Sequence, residues 1–162
     1  MIKNIILEKI SKKKFSEYGD IIIQKSKPDM IINQGFCKRY HDQANLEIIN
    51  GKYGISLFHA KIRKLPYKFN LLERHPLGSQ TFIPLSSDPF LVIVAADDNG
   101  TPINPKAFIT SPNMGINYKR NVWHGVLTPL YGTGIFAVVD RIGNDKNLEE
   151  YHFKNKFLVV ER

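Results

Sequence analysis

Cysteine is nearly absent. Cys37 stands alone among 162 residues, which excludes an intramolecular disulfide and a cysteine-built zinc site and fits a reducing, cytoplasmic setting. Long apolar runs are missing as well: no stretch reaches the roughly 20 residues that a membrane helix needs. The N-terminal MIKNIILEKISKKK breaks its apolar residues with Lys3, Glu8 and Lys9 and has no small-residue cleavage pattern, so no secretory signal is expected. There is no glycine-rich phosphate loop, no internal repeat and no long helical periodicity. Acidic residues are outnumbered by basic ones, 15 to 23, for a net charge of +8. The excess is scattered. Its densest group, Lys12 to Lys14, reads as a solvated first turn, and without a clustered basic stripe neither nucleic acid nor a membrane surface is the expected partner. A small anionic substrate needs only one or two such cations.

What remains is the composition of an ordinary globular protein, 43% hydrophobic and 23% charged, on a chain of one-domain length, residues 1–162. The chain reads as many short strands punctuated by proline and glycine. Ile5 to Leu7, Asp20 to Ile23, Phe36 to Asp42, Gly54 to Ile62, Thr81 to Pro84, Phe90 to Ala95, Phe108 to Thr110 and Gly134 to Asp140 carry strand patterns. Ser11 to Tyr18 reads as a helical turn, Lys25 to Gly35 as loop with an apolar patch at Met30 to Ile32, and Asp145 to Glu150 as a short surface helix. Asp97-Asp98-Asn99-Gly100 reads as a tight turn, since it lacks the spacing of a calcium loop. His59 reads as structural, and Asp140 with Arg141 as an ion pair. This pattern favours an all-β sandwich or barrel over a parallel α/β fold.

Chemistry concentrates in LERHPLGSQTFIPL, Leu72 to Leu85. Side chains two apart on an extended chain share a face, so Glu73 and His75 aim into one cavity while Arg74 points away. Gln80 returns toward it after the turn Pro76-Leu77-Gly78-Ser79. A second stretch, GINYKRNVWHGVLTPL from Gly115, brings His124. Converging ionisable groups of this kind serve chemistry or form a structural hydrogen-bond network. Gln80 either joins them or only bridges backbone groups. Arg39 and His41 either cross a dimer interface into the pocket or pair with Asp42 and other surface groups. Trp123 and Tyr118 read as barrel packing.

With RYHD at Arg39 to Asp42, LERHPLGSQTFIPL, GINYKRNVWH at Gly115 to His124 and VDR at Val139 to Arg141, in that order, the chain resembles the ureidoglycolate lyase family of the cupin superfamily. That resemblance implies a cupin-like double-stranded β-helix or jelly-roll barrel, a homodimer, and cleavage of ureidoglycolate to glyoxylate and urea in purine nitrogen recovery. It also implies a divalent metal, nickel first, held by Glu73, His75 and His124 with Gln80 as a fourth ligand. Compared with the usual cupin motif, Glu73 replaces a histidine and Gln80 a glutamate. Compared with a frequent pattern of the lyase family, Lys119 and Gly125 stand at two histidine positions.

The roles follow from the reaction. A general base takes the hydroxyl proton, a cation holds the carboxylate, and the departing urea needs a proton. Glu73, His75 and His124 are the catalytic candidates, with Lys119 in place of the family's proton shuttle. Lys119 or Arg120 is the carboxylate clamp, and Asn117 binds the urea amide. Metal-free catalysis, with Glu73 or a histidine as base, uses the same pocket. Two other readings stand beside the lyase: a non-catalytic cupin that binds or senses glyoxylate or a related hydroxy acid, and a metal-dependent cupin for another hydroxy acid or sugar.

Overall fold

The architecture is all-β and cupin-like. A computed structural model describes residues 2–161. Strand β1 (Ile2–Lys9) leads to one turn of helix, α1 (Lys12–Phe15), whose first turn is capped by the Ser11 hydroxyl accepting from the Lys14 amide. Then come β2 (Gly19–Ile22), β3 (Met30–Ile32), β4 (Cys37–Arg39), β5 (Lys52–His59), β6 (Tyr67–Arg74) and β7 (Gln80–Pro84). The second half holds β8 (Phe90–Asp98), β9 (Thr101–Ile109), β10 (Gly115–Tyr118), β11 (Trp123–His124), β12 (Thr128–Pro129), β13 (Ile135–Ile142) and β14 (Glu149–Val160). The two-residue turn between β8 and β9 is Asn99-Gly100, both at positive φ (49° and 83°), the hairpin chemistry that this dipeptide favours.

One sheet runs β11-β6-β14-β1-β9-β8-β12, and because β11 also pairs with β8, its first six strands close into a ring. The ring's inside is filled by Phe69, Leu72, Leu91, Ile93, Trp123 and Val159 with their neighbours. The second sheet runs β2-β10-β7-β13-β5. Its apolar side, with Phe82, Ile116, Tyr118, Phe136 and Val138, packs on the outer face of β8, where Phe90, Val92 and Val94 alternate with the residues that fill the ring. Phe15 plugs this second core from α1 and is fully buried. The protein therefore has two cores, one inside the ring and one between ring and sheet. β3 and β4 form a separate two-stranded arm.

Two expectations from sequence are corrected. Asp145 to Glu150 is not a helix: the chain bends at 144–145 and runs irregularly through 146–148, and β14 starts at Glu149, pairing with β6 over Glu149↔Arg74 and Glu150↔Glu73. Long-range pairing outweighs a six-residue helical tendency that is too short to hold by itself. Asp140 and Arg141 are not an ion pair either, since consecutive strand residues face opposite sides. The buried Arg141 guanidinium donates to the Ile49 and Asn50 carbonyls and to the Asp145 carboxylate, while Asp140 accepts from the Gln80 amide at 3.2 Å.

Candidate active site

Side-chain alternation decides what meets at the seam between ring and sheet. On β6, Leu72 fills the ring, so Glu73 points outward to the second sheet, while Arg74 turns back, lying 4.4 Å from the Trp123 ring centre and pairing with Asp97 and Glu149. On β11, Trp123 points into the ring and His124 out, directly opposite Glu73 in the register. His75 follows Glu73 by two. The ligand atoms of Glu73, His75 and His124 all lie within 4.8 Å of one another, as the i, i+2 spacing implied for the first pair.

The ring nitrogens of the two histidines are already sorted. His75 Nδ1 lies 2.7 Å from the Asn147 carbonyl and His124 Nδ1 lies 3.0 Å from the Gly125 carbonyl. A carbonyl only accepts, so each Nδ1 carries the proton and each Nε2 presents a lone pair. Both Nε2 atoms are buried without a hydrogen-bond partner among the described residues, and so is Gln80 Oε1. Such atoms are costly unless something fills the site. Two imidazole lone pairs, a carboxylate and an amide oxygen form a donor set that suits a divalent transition metal. Gln80 belongs to this side, because it is register partner to Tyr118, whose ring stacks on His124 at 4.2 Å and 7°.

Electrostatics match. Burial, with a smaller contribution from His75, pushes His124 down to about 3, so it stays neutral. Burial also raises Glu73 above its ordinary 4.5; neighbouring His75 opposes the shift and Glu150 adds to it. A bound cation would relieve both penalties on Glu73. A cleft of about 670 Å³ opens onto His75, lined by Asp140, Lys146, Asn147, Glu150 and His152 among others. A second cleft of about 650 Å³, between α1, β2 and residues 42–45, holds none of these donors.

The other predicted residues lie elsewhere. Asn117 sits on the opposite face of β10 from Tyr118, fully buried, donating to Asp20 and the Asn45 carbonyl and accepting from Thr81. Lys119 reaches the Ser16 carbonyl at the α1 side. Arg120 stands beside the His75 loop but donates to the Pro76 carbonyl and lies 3.6 Å from the Glu47 carboxylate. Arg39 and His41 are on the arm and the segment after it. Sequence reasoning missed Glu150, His152, Asn147 and Asp140, the residues that line the cleft or hold the donors. Their signal is the alternation of EEYHF from Glu149, which reads as strand once the acidic run is not taken for a helix. Asn117→Ala should cost about 2–3 kcal/mol of stability through its buried partners and leave KM unchanged, as thermal unfolding beside steady-state kinetics will show.

A closed β-ring with a second sheet, and a His₂–carboxylate cluster at the seam between them whose donors are compatible with a metal ion, define a cupin-like protein. Comparison with known proteins then gives the family. The family model described as ureidoglycolate lyase matches residues 2–160. A ureidoglycolate lyase of Rhodobacter capsulatus is 47% identical over 159 residues, 98% of this chain and 99% of that protein. One from Chelativorans sp. is 44% identical over 160 residues, 98% of this chain and 97% of its own length. Another, from Brucella anthropi, is 38% identical over 162 residues, covering 99% and 96%. The chain belongs to the ureidoglycolate lyase family.

Proposed function

We propose that this chain cleaves ureidoglycolate to glyoxylate and urea, a carbon–nitrogen lyase reaction in the recovery of nitrogen from purines. The observation that carries the reading is the pair of orphaned Nε2 atoms on His75 and His124 beside Glu73, in a chain whose relatives bear that activity in their names. Glu73, His75 and His124 would hold the metal, with Gln80 Oε1 as the fourth donor; nickel is the first candidate, being both the family's implied metal and one that imidazole sites take. When bound, such a metal lowers the pKa of a substrate hydroxyl and orients its carboxylate.

The remaining work falls to side chains. The substrate's central carbon bears hydroxyl, carboxylate and ureido nitrogen. As the O–H proton leaves, a carbonyl forms, the C–N bond breaks, and the nitrogen takes up one proton, so no proton is consumed overall. Glu150 faces the same side as Glu73 from the paired strand and has no hydrogen bond or ion pair among the described residues. Its carboxylate accepts the hydroxyl proton and returns it to the departing urea. Asn147 and Gly125 hold the imidazoles by their backbone carbonyls, and Tyr118 restrains His124 by stacking. Glu150→Gln should lower kcat by about 10²-fold or more with metal affinity intact, which turnover and metal titration measured together will test.

The protein is proposed to be a cytoplasmic homodimer. An apolar face on the outer side of the second sheet supports the dimer: Ile55 and Leu57 are 78% and 71% exposed, beside Ile83 and Leu85. The lone cysteine fits a reducing compartment, and no helix among the described residues is long and apolar enough to cross a membrane. The test of function is product analysis on racemic ureidoglycolate. Glyoxylate and urea in equal amounts are expected. Ammonia in place of urea would mean hydrolysis of the amide, and no product under any metal condition would favour a binding protein.

A further inference from the structure

The arm formed by β3 and β4 has no obvious reason to exist in one copy of the chain. Its strands pair only with each other, Met30↔Arg39, Ile31↔Lys38 and Ile32↔Cys37, and an isolated two-stranded hairpin is marginal in water. Its base is pinned, since the Asp29 amide donates to the Arg39 carbonyl and the His41 amide to the Asp29 carboxylate, both at 2.9 Å. It is apolar and bare: Phe36, beside the turn, is 90% exposed and Ile31 on β3 63%. With Met30 42% exposed as well, the arm presents several apolar side chains together, and grouped exposed apolar surface marks a place where something docks.

Charge says where. The arm carries Lys38 and Arg39, with His41 just after it, and the Arg39 guanidinium has no hydrogen bond or ion pair among the described residues. The cleft at the metal cradle is the complement. It presents Asp140 and Glu150, with Glu149 paired to Arg74, its Arg141 is spent on Ile49, Asn50 and Asp145, and Lys146 is the rim cation. A reaction on a carboxylate substrate at so acidic a site needs a further cation.

We infer that the arm of one copy lies across a second copy of this chain, seating Phe36 on the partner's apolar sheet face and placing Arg39 at the mouth of the partner's cleft to bind the substrate carboxylate. A two-fold axis makes the exchange reciprocal, so each site is completed by the other chain. The carboxylate role rests on the lyase reading above; the docking does not.

The test separates the two. Arg39→Ala is expected to lose at least about thirtyfold in kcat/KM, the scale of a truncated charge pair, and His124→Ala to be inactive. Heterodimers of these two chains, purified through different tags, should regain about half the parent's turnover per dimer, since one site keeps His124 and receives Arg39 from its partner. A heterodimer as poor as its parents, or an Arg39→Ala protein with full activity, overturns the assignment; Glu73→Gln replaces His124→Ala if that chain folds badly. Should the parent not cleave ureidoglycolate, solution mass decides the docking alone. A dimeric parent and a monomeric Phe36→Asp support it, and an identical mass for the two contradicts it.

Discussion

Glu73→Gln should lose at least about 10³-fold in kcat/KM while melting no lower than the metal-free parent. The amide keeps the shape of the side chain and removes its charge. If Glu73 were one member of a structural network, that change would leave a damaged core and a protein that unfolds earlier. The opposite is expected here because the fold does not favour the ionised form: burial raises the Glu73 pKa above 4.5. The sign follows from proton counts. Between the unfolded value and the raised folded value the native state binds more protons than the unfolded one, so metal-free stability falls as pH rises through that window. Gln removes this dependence. Melting curves of parent and variant across acidic to neutral pH, taken with chelator, should diverge in favour of the variant as pH rises.

Nickel should raise the melting temperature of the parent by about 5–10 °C at a free concentration near 100 times Kd. Binding to the native state alone contributes about 2.7 kcal/mol at that excess, and about 2–4 °C per kcal/mol is usual for a chain of this size. The cradle is prepared for it. Both histidines already carry the proton on Nδ1, facing the Asn147 and Gly125 carbonyls, and keep buried Nε2 lone pairs, and His124, held down at about 3, does not compete for protons in the neutral range. The shift should vanish in His124→Ala, compared with and without metal so that any loss of packing against Tyr118 cancels. A shift of equal size in that variant would place the nickel elsewhere.

The two halves of the site differ in how far the sequence reveals them. Glu73 and His75 are legible from spacing, because an extended chain repeats every two residues and LERH leaves no other reading of which side chains share a face. Gln80 and His124 join them from the turn after Pro76 and from the Gly115 stretch, their role as metal ligands being what the resemblance implies, and the structure adds the reason they meet: Gln80 and Tyr118 are register partners, and Tyr118 stacks on His124. Asn117 shows the limit. It adjoins Tyr118 in sequence, yet parity sends it to the far side of β10, and parity is set by a register that only pairing with β2 and β7 fixes. Glu150 is hidden for the same reason, since its place depends on the pairing of β14 with β6 across nearly half the chain. The strand-rich class was readable, but closure of the larger sheet was not, because it hangs on the two residues of β11 pairing on both sides.

The most direct measurement is a nickel titration of chelator-stripped protein, following glyoxylate release from ureidoglycolate. Activity is expected to rise from near zero in proportion to added metal and to break at one equivalent per chain, with Glu73→Gln and His75→Ala showing no rise. Full turnover in the stripped protein, unchanged by metal, would contradict a catalytic cradle at Glu73, His75 and His124.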